Sequence, residues 1–372
     1  MIRATICVGG TPSQRARYSE SNRFGGRSLY FLPKLDLREK QALEDKLQGA
    51  EIKYKYFHGE EETKRYILVS IDDSAGVFLT ALTNLGINLV DAFVSSSTKQ
   101  SSKVARNHSS WYNDFTPSEE AYLSIKQIAE AQEADIILLS SPNLGAYSKI
   151  GEVKTSSVVI RSLTQYLSLK EKGREFKGNS HQVWEYAYAR SILEPKYHMF
   201  EGKRVAVSLA TEVNQILRCR PKELNSSGFT AQNRERFFWT NFSIKQVQPS
   251  PLVILDILET MDFEADTPSW IDKSWGTNTT TTRRNLIKRP HSKASALTPA
   301  MIRGQTTIFC KNKEGGLHRY SITELETIQG LPKGYTAGVS LTQRTVLLGT
   351  VSTLPVIEHI FKELPCHAKL EL

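Results

Sequence analysis

Three stretches of the sequence place polar side chains at spacings that could do chemistry. In the first, the apolar run ADIILLS ends in Ser-Pro-Asn, so that Asn143 follows Pro142 directly after a predicted strand. Open α/β sheets bind their ligands at such carboxyl ends of strands. An asparagine amide can donate and accept hydrogen bonds, but it cannot act as a nucleophile. The loop therefore predicts either a site that uses asparagine or a site that lacks its reactive group.

The second stretch is IDDSAG, residues 71–76, which lies between a predicted strand and a predicted helix. It holds two adjacent carboxylates, Asp72 and Asp73, and a turn at Gly76. A strand, a tight turn, a helix and a second strand in this order are typical of a unit that binds a nucleotide cofactor. Because many α/β units share this order, the pattern alone does not establish a cofactor.

The third stretch, FTAQNRERFFWTNF, spaces Gln232, Arg234 and Arg236 two residues apart, ahead of an aromatic strand. Downstream lies a polar basic segment, residues 267–304, which is rich in turn formers. Its aromatic and basic residues include Trp270, Trp275, Arg283, Arg284, Lys288, Arg289, Lys293 and Arg303. Cations near aromatic rings suit contact with nucleic-acid phosphates and bases. The alternatives are a solvated surface for the basic segment and a purely structural role for the two arginines.

Length and composition bound the class of protein. The 372 residues suffice for one large and one small domain, and 40% hydrophobic with 23% charged residues is ordinary for a globular chain. No apolar run is long enough to cross a bilayer, and the first residues lack the apolar core of a signal peptide. Four distant cysteines without CxxC spacing favour a reducing compartment and no zinc site. The net charge of +9 permits a polyanionic partner without requiring one.

The elements that must position these residues follow from hydrophobic periodicity. From residue 66 onward, strand patterns alternate with helical ones, which predicts a parallel, doubly wound sheet covered on both faces. The predicted strands are YILVSIDD, LVDAFVSSS, ADIILLSSP, KRVAVSLAT and FFWTNF. The predicted helices are SAGVFLTALTNLG, TKQSSKVARNH, PSEEAYLSIKQIAEAQ, SVVIRSLTQYLSLKEKG, PLVILDILETM and one at the end of the chain. HQVWEYAYARSILEPKYHMF is interpreted as helix packing or an insertion, and residues 1–65 as an arm or edge element containing one helical stretch.

Several of these stretches match one known family in order and spacing. Gln232, Arg234 and Arg236 resemble the Gln-x-Arg-x-Arg motif of the DNA cytosine-5 methyltransferases. RYSITELETIQGLPKGYT resembles that family's element with a glutamate, a Gln-Gly pair and a proline before a tyrosine. QRTVLLGTVSTLPVIEHIFKEL is similar to its terminal motif. The chain most resembles the catalytic domains of the animal de novo DNA methyltransferases and their relatives in phages and bacteria.

The resemblance implies an α/β architecture, a Rossmann-like class I methyltransferase fold with a small target-recognition domain. It divides the chain into an N-terminal extension (1–65), a methyltransferase-like large domain (66–236, completed by 337–372) and the small domain (237–336). DNA contacts are expected from Gln232, Arg234 and Arg236 and from six cations of the basic segment, Arg283, Arg284, Lys288, Arg289, Lys293 and Arg303.

The family's reaction depends on groups from which this chain departs. A cysteine thiolate adds to C6 of a flipped cytosine, a glutamate hydrogen-bonds ring N3, and C5 takes a methyl group from S-adenosylmethionine. Asn143 stands where the family has cysteine, and Ser208 and Leu209 align with its Glu-Asn pair. The resemblance therefore predicts that no catalytic group is intact. The alternatives are Glu212 as the glutamate, if its loop folds back, and Asn143 as a group that bonds a flipped base.

The cofactor half departs from the family as well. The family's first loop has the form Phe-x-Gly-x-Gly, whose glycines let the backbone approach the cofactor. Here only Gly76 remains, and Asp73 places a carboxylate beside the one that the cofactor carries. Serines replace the acid that binds the ribose, Thr350 replaces a terminal asparagine, and Asp114 could be the acid near the adenine. We expect vestigial cofactor-binding residues at Asp72, Gly76 and Asp114, no bound cofactor and no metal; S-adenosylmethionine is the cofactor if the site still functions.

These features predict a catalytically inactive DNA cytosine-5 methyltransferase-like protein, a pseudoenzyme rather than an enzyme. It is expected to bind double-stranded DNA, an active DNA methyltransferase or a second copy of itself, and no membrane. The alternatives are an active DNA base-modifying enzyme with non-standard catalytic residues and a scaffold without nucleic-acid contact. The expected location is the cytoplasm of a prokaryote or a phage-infected cell, or the nucleus of a eukaryote.

Overall fold

The structure is a computed structural model of the chain. It describes residues 3–8, 28–32, 51–56, 64–96, 98–109, 112–142, 160, 162–172, 181–203, 207–260, 287–299, 309–311, 316–362 and 364. The chain separates into two units, one comprising Met1–Lys64 with Ala368–Leu372 and the other comprising Arg65–His367.

The N-terminal unit contains a sheet of its own. Its strands are β1 (Arg3–Val8), β2 (Ser28–Leu32) and β3 (Glu51–Tyr56). Both pairings are parallel, and the strand order is β2-β1-β3. The sequence predicted an arm or edge element, so the sheet differs from the expectation. The helical stretch predicted for residues 34–52 lies outside the described residues except at its end, which belongs to β3.

The second unit is built on one large sheet. Its strands are β4 (Arg65–Ile71), β5 (Leu89–Ser95), β6 (Tyr112–Asp114), β7 (Ala134–Ser140), β8 (Tyr197–Lys203), β9 (Pro221–Asn225) and, beyond the short β10 (Gln232–Asn233), β11 (Glu235–Thr240). The order is β6-β5-β4-β7-β8-β11-β9. The first five strands are parallel, and β11 runs antiparallel to both of its neighbours. The predicted α/β sheet is confirmed, with an antiparallel end that the strand-helix alternation did not indicate.

Helices connect these strands, and short pairs complete the unit. The helices are α1 (Val77–Asn84), α2 (Lys99–Arg106), α3 (Glu119–Ala131), α4 (Leu163–Glu171), α5 (His181–Leu193), α6 (Val207–Leu217), α7 (Ile322–Ile328), α8 (Leu341–Thr350) and α9 (Leu354–Phe361). The remaining strands are β12 (Ala294–Ser295), which pairs with β10, and β13 (Phe309–Lys311), which pairs with β14 (Leu317–Arg319). No helix of the described chain is long and apolar enough to span a membrane.

Strand β4 shows how both faces of the sheet are covered. Its buried residues alternate, so that Ile67 and Val69 face one side while Tyr66 and Leu68 face the other. The first pair belongs to a core with residues of α3, α5 and α6. The second pair belongs to a core with residues of α1 and α9. A strand buried on both faces is what a doubly wound sheet requires.

One predicted strand is wrong, and it matters for the site. The sequence placed a strand at KRVAVSLAT, but the strand is β8, Tyr197–Lys203, and the helix α6 begins at Val207. The β-branched valines suggested a strand. Val213 and Leu217, one helical turn apart, are buried in the core against the sheet, so the helical period decides the structure.

A predicted helix is also wrong. PLVILDILETM contains only one 3₁₀ turn, Ile254–Ile257. The backbone N–H groups of Ile254 and Leu255 donate to the carbonyl oxygens of Ser292 and Pro290, and Leu258 already has an extended backbone. Tertiary hydrogen bonds therefore replace the further turns that the apolar pattern suggested. HQVWEYAYAR, by contrast, lies in α5, whose buried Val183 and Tyr186 confirm the packing role.

Candidate functional site

Three segments leave the large sheet at the same edge. Ile71 of β4 lies opposite Ser140 of β7, and Ser140 lies opposite Phe200 of β8. Because these strands are parallel, the loop of residues 72–76 and the residue Glu201 follow aligned residues at the same edge of the sheet. The sequence order of the strands reverses between β4 and β7, and open sheets place their ligand crevice at such a point.

The middle segment carries the predicted position of the nucleophile. It runs from β7 through the buried Pro142 to Asn143. Asn143 lies outside the described residues, so its role stays a prediction from the sequence. Because β7 and β8 are neighbours in register, the segment nevertheless leaves the sheet beside Glu201.

Glu201 is a buried carboxylate near the carboxyl end of β8, and it is only 2% exposed. The Ser352 hydroxyl donates a hydrogen bond to its Oε2, and the Arg236 Nε lies 3.7 Å from its Oε1. Arg236 reaches it from β11, where the neighbouring Phe238 pairs with Glu201 across the two strands. A buried carboxylate is stable only with such partners, so Ser352 and Arg236 hold Glu201 at this edge of the sheet.

Glu201 corrects the alignment made from the sequence. Ser208 was placed at the end of a strand, in the position of the family's glutamate, but it lies in helix α6. Glu212 lies in the same helix, not in a loop that folds back. The missed signal was the apolar YHMF followed by Glu-Gly, a strand pattern ending in a carboxylate. A glutamate is therefore present at a strand end, where the sequence reading found none.

Three cations lie close to one another near Glu201. Burial and the neighbouring Arg236 lower the pKa of Arg234 to about 9, although Glu201 partly opposes this. Burial, Arg236 and Arg234 together lower the pKa of Lys203, at the end of β8. These cations therefore repel one another.

Arg234 has structural partners. It is 4% exposed, and its guanidinium donates to the carbonyl oxygens of Leu297, Gly349 and Val351 at 3.0, 3.5 and 3.1 Å. These contacts join the predicted small domain to the end of α8 and beyond, which is the structural role that the sequence left open. We therefore exclude Arg234 from the residues proposed to touch DNA.

Gln232 is fully buried, and among the described residues neither its amide oxygen nor its amide nitrogen has a hydrogen-bond partner. Its backbone pairs with Ala294 in the β10–β12 ladder. Buried amides are normally satisfied, so such a group marks either a strained or a functional position. A DNA contact by Gln232 stays a prediction, since the side chain is inaccessible in this conformation.

The six cations that the sequence predicted to contact DNA from the basic segment divide into three groups. The Lys293 ammonium donates to the carbonyl oxygens of Ser227, Thr230 and Ser250 at 2.8, 2.9 and 3.0 Å, so it holds the fold. Lys288 is half-buried and Arg289 is exposed. The predicted contacts at Arg283, Arg284 and Arg303 lie outside the described residues.

The loop after β4 carries a second buried carboxylate, Asp73, which is 2% exposed. Among the described residues, its Oδ2 has no hydrogen-bond partner. Burial raises the pKa of Asp73 to about 7, the backbone N–H groups at the start of α1 oppose the rise, and the negative charge of Glu201 adds to it.

The rest of this loop is bound by the protein itself. The Ala75 N–H donates to the Ser101 hydroxyl at 2.7 Å, and that hydroxyl is 3.2 Å from the Asp73 carbonyl oxygen. The Tyr335 hydroxyl donates to the Ala75 carbonyl oxygen at 2.9 Å. Gly76 has a φ of +72°, and a Cβ there would lie 2.9 Å from the Ala105 Cβ, so only glycine fits against α2.

The other two predicted cofactor carboxylates, Asp72 and Asp114, have partners outside this loop. Asp72, with a left-handed φ of 57°, accepts a hydrogen bond from Gln182 Nε2 at 3.1 Å. Burial raises its pKa to about 6, against the effect of that hydrogen bond. Asp114 is exposed at the end of β6 and forms an ion pair with Arg106. Their vestigial cofactor roles stay predictions.

Comparisons with known proteins identify the fold. No protein-family model matches the chain, and no curated protein matches it. The solved structure of S. pombe Dnmt2 methyltransferase superposes with a TM-score of 0.56 and 14% identity, covering 80% of this chain and 97% of that chain. A mutant of Spodoptera frugiperda DNMT2 gives a TM-score of 0.53 and 13% identity, covering 80% of this chain and 98% of that chain. The predicted Rossmann-like methyltransferase fold is therefore confirmed.

Proposed function

We propose that this chain is a catalytically inactive DNA cytosine-5 methyltransferase-like protein that binds double-stranded DNA. The proposal is carried by one observation, the pairing of Glu201 with Arg236 beside the segment that leads through Pro142 to Asn143. In the family that the sequence resembles, a glutamate recognises the cytosine ring and a cysteine attacks it. Here the first group has a counterpart and the second does not.

The absence of a nucleophile supports inactivity. An amide nitrogen is too weakly basic to add to C6 of a pyrimidine, and it would not leave readily after methyl transfer. The cysteines described in this chain are Cys219, which is partly buried, and Cys310, which is fully buried. Burial raises the pKa of both thiols, to about 12 for Cys310, so neither thiol favours the reactive thiolate.

The charge distribution supports a nucleic-acid partner. Lys203 and Arg236 carry positive charge at the sheet edge, and Lys288 and Arg289 add cations on the predicted small domain. A duplex presents a dense row of phosphates, and neutralising them releases counterions. Because this term dominates such binding, we expect affinity to fall steeply with salt.

The experiment combines a methyl-transfer assay with DNA binding by fluorescence anisotropy over a salt series. Wild-type chain should transfer no methyl group, and the logarithm of its association constant should fall with the logarithm of salt with a slope of about −3 or steeper. The matched variant is Glu201→Gln, which keeps size and removes the charge opposite Arg236. A slope near zero would refute DNA binding and support a scaffold, or a partner such as an active methyltransferase or a second copy.

A second candidate, an active base-modifying enzyme with non-standard catalytic residues, is favoured by the retained glutamate. The same assay decides between the two functions. Methyl transfer by the wild-type chain that Glu201→Gln abolishes would replace our proposal. An Asn143→Cys variant tests whether the missing nucleophile alone limits the reaction.

A further inference from the structure

A groove with a volume of about 410 Å³ lies between the helix α2 and the start of the helix α8. Lys99, Gln100 and Lys103 line it on one side, and residues 338–340 with Gln343 line it on the other. Both lysines are exposed, and none of these lining residues is acidic. We propose that this groove is a binding site for phosphate groups.

The two lysines carry charge that the described part of the chain does not pair. Arg106 of α2 forms an ion pair with Asp114, and Arg344 of α8 forms one with a buried glutamate. Lys99 and Lys103, by contrast, have no ion pair among the residues that the structure describes. Their ammonium groups are therefore available to an anionic ligand.

The positions of the two lysines are unfavourable for α2 itself. Lys99 is the first residue of the helix and Lys103 lies one turn later on the same side, so the two charges repel each other. A positive charge in the first turn also opposes the helix dipole, and that turn contains no acidic residue. A phosphate bound between the lysines would offset both effects, which gives this arrangement a physical reason.

The other wall of the groove offers a neutral donor. The Ser340 N–H donates to Gln343 Oε1 at 2.9 Å, so this bond orients the Gln343 side chain and leaves its amide N–H groups for a ligand. The first turn of α8 likewise contains no acidic residue. Both walls therefore present donors and no negative side chain to a phosphate.

The loop before α8 is fixed on the end of α2, so the groove is preformed. The His108 ring stacks on the Tyr335 ring with centroids 3.8 Å apart, and His108 Nε2 lies 2.7 Å from the Tyr335 carbonyl oxygen. Asn107 Nδ2 donates to the Ala337 carbonyl oxygen at 3.3 Å. Gly338 has a φ of +91°, which favours glycine where the loop approaches Asn107. A preformed site loses less freedom when it binds.

The start of α2 lies at the same edge of the sheet as Glu201. Ser95, at the end of β5, pairs with Ile71 of β4, which is aligned with the ends of β7 and β8. Three strand spacings, roughly 15 Å, separate β5 from β8. Each DNA strand carries a phosphate about every 3.4 Å, so one duplex can reach both positions. The phosphate comes either from a DNA backbone, in which case the inference rests on the proposed function, or from a small phosphorylated molecule.

The first arm of the test measures duplex DNA binding by fluorescence anisotropy over a salt series. The variant is Lys99→Gln with Lys103→Gln. The control is Arg65→Gln with Lys196→Gln, which removes the same charge from exposed residues at the opposite edge, where β4 and β8 begin. The variant should flatten the slope of log association constant against log salt by about 2, one for each lost phosphate contact, and the control should leave the slope unchanged.

The second arm labels the wild-type chain with acetic anhydride, and mass spectrometry measures the acetylation of each lysine. The probe is inorganic pyrophosphate, with sodium chloride at equal ionic strength for comparison. Lys99 and Lys103 should lose most of their reactivity in pyrophosphate, whereas the exposed Lys196 should keep its reactivity. This arm needs no variant, so a folding defect cannot obscure it.

A flattened slope assigns the groove to the DNA backbone, and protection with an unchanged slope assigns it to a small phosphorylated molecule. An unchanged slope together with unprotected lysines overturns the inference. If the wild-type chain binds no DNA, the proposed function fails, and the labelling alone decides whether the groove binds phosphate.

Discussion

Replacing Asp73 by Asn should make the second unit more stable at high pH. Burial raises the pKa of Asp73 from 3.8 to about 7. Between these values the folded chain holds a proton that the unfolded chain has released. The free energy of unfolding therefore falls as pH rises through this range, by about 1.4 kcal/mol for each pKa unit and at most about 4 kcal/mol in total. Asn has a similar shape and does not ionise, so it avoids this loss.

The measurement is urea unfolding followed by tryptophan fluorescence at a series of pH values. All 5 tryptophans lie in Arg65–His367, so the signal reports on that unit alone. The difference in unfolding free energy between Asp73→Asn and wild type should be small near pH ~4 and should grow to about 4 kcal/mol above pH ~7. Glu185 and Asp72, whose pKa values burial also raises, titrate in both proteins and largely cancel.

Asp72→Asn is the matched control, because Asp72 is the half-buried neighbour of Asp73 and its carboxylate accepts a hydrogen bond from the Gln182 side chain. The pKa of Asp72 is raised to about 6, so the gain from this variant should level off at a lower pH than the gain from Asp73→Asn. A difference between Asp73→Asn and wild type that does not change with pH would refute the buried, protonated carboxylate.

Five further substitutions test the fold and the charge. Arg234→Met should lower the unfolding free energy by about 3 kcal/mol in urea unfolding, because it leaves three carbonyl oxygens without their donor. At Gly330 φ is +70° and an added Cβ would lie 2.3 Å from a proline side chain, so Gly330→Ala should lower the unfolding free energy by about 2 kcal/mol or more. At Gly334 φ is +78° and the space is open, so Gly334→Ala should lower the unfolding free energy by about 1 kcal/mol. Arg289→Ala should reduce the salt slope of DNA binding by about 1, whereas Lys293→Ala should reduce stability instead.

The parallel part of the fold could be predicted because its signals are local. In β4 the residues buried on both faces form one continuous apolar run. Helix α3 begins after Ser118, whose side chain accepts a hydrogen bond from the Ala121 N–H, and its first turn contains two glutamates. The N-terminal sheet could not be predicted in this way. Its strand β1 pairs with β2 and β3, which are separated from it by many residues, and such pairing leaves no periodic pattern within one window.

The candidate site stays a prediction, and only part of its composition followed from the sequence. The segment that leads to Asn143 follows β7, and Arg236 lies beside Glu201 of the neighbouring strand β8. The partners of Arg234, however, are carbonyl oxygens more than 60 residues away, which no motif encodes. Glu201 was missed because the valines after it competed as a strand, and only the register of β8 against β7 settles which carboxylate lies at the edge.

The retention of Glu201 has two physical explanations, and they predict different measurements. As a recognition group, it would matter for affinity. As a structural group, it matters because Ser352 and Arg236 would otherwise be buried with an unmatched donor and an unmatched charge. Glu201→Gln keeps an acceptor for Ser352, so a structural role predicts a loss of stability with unchanged affinity for duplex DNA. A loss of affinity at unchanged stability would instead mean that the edge still reads a base, although the residue after Pro142 cannot attack it.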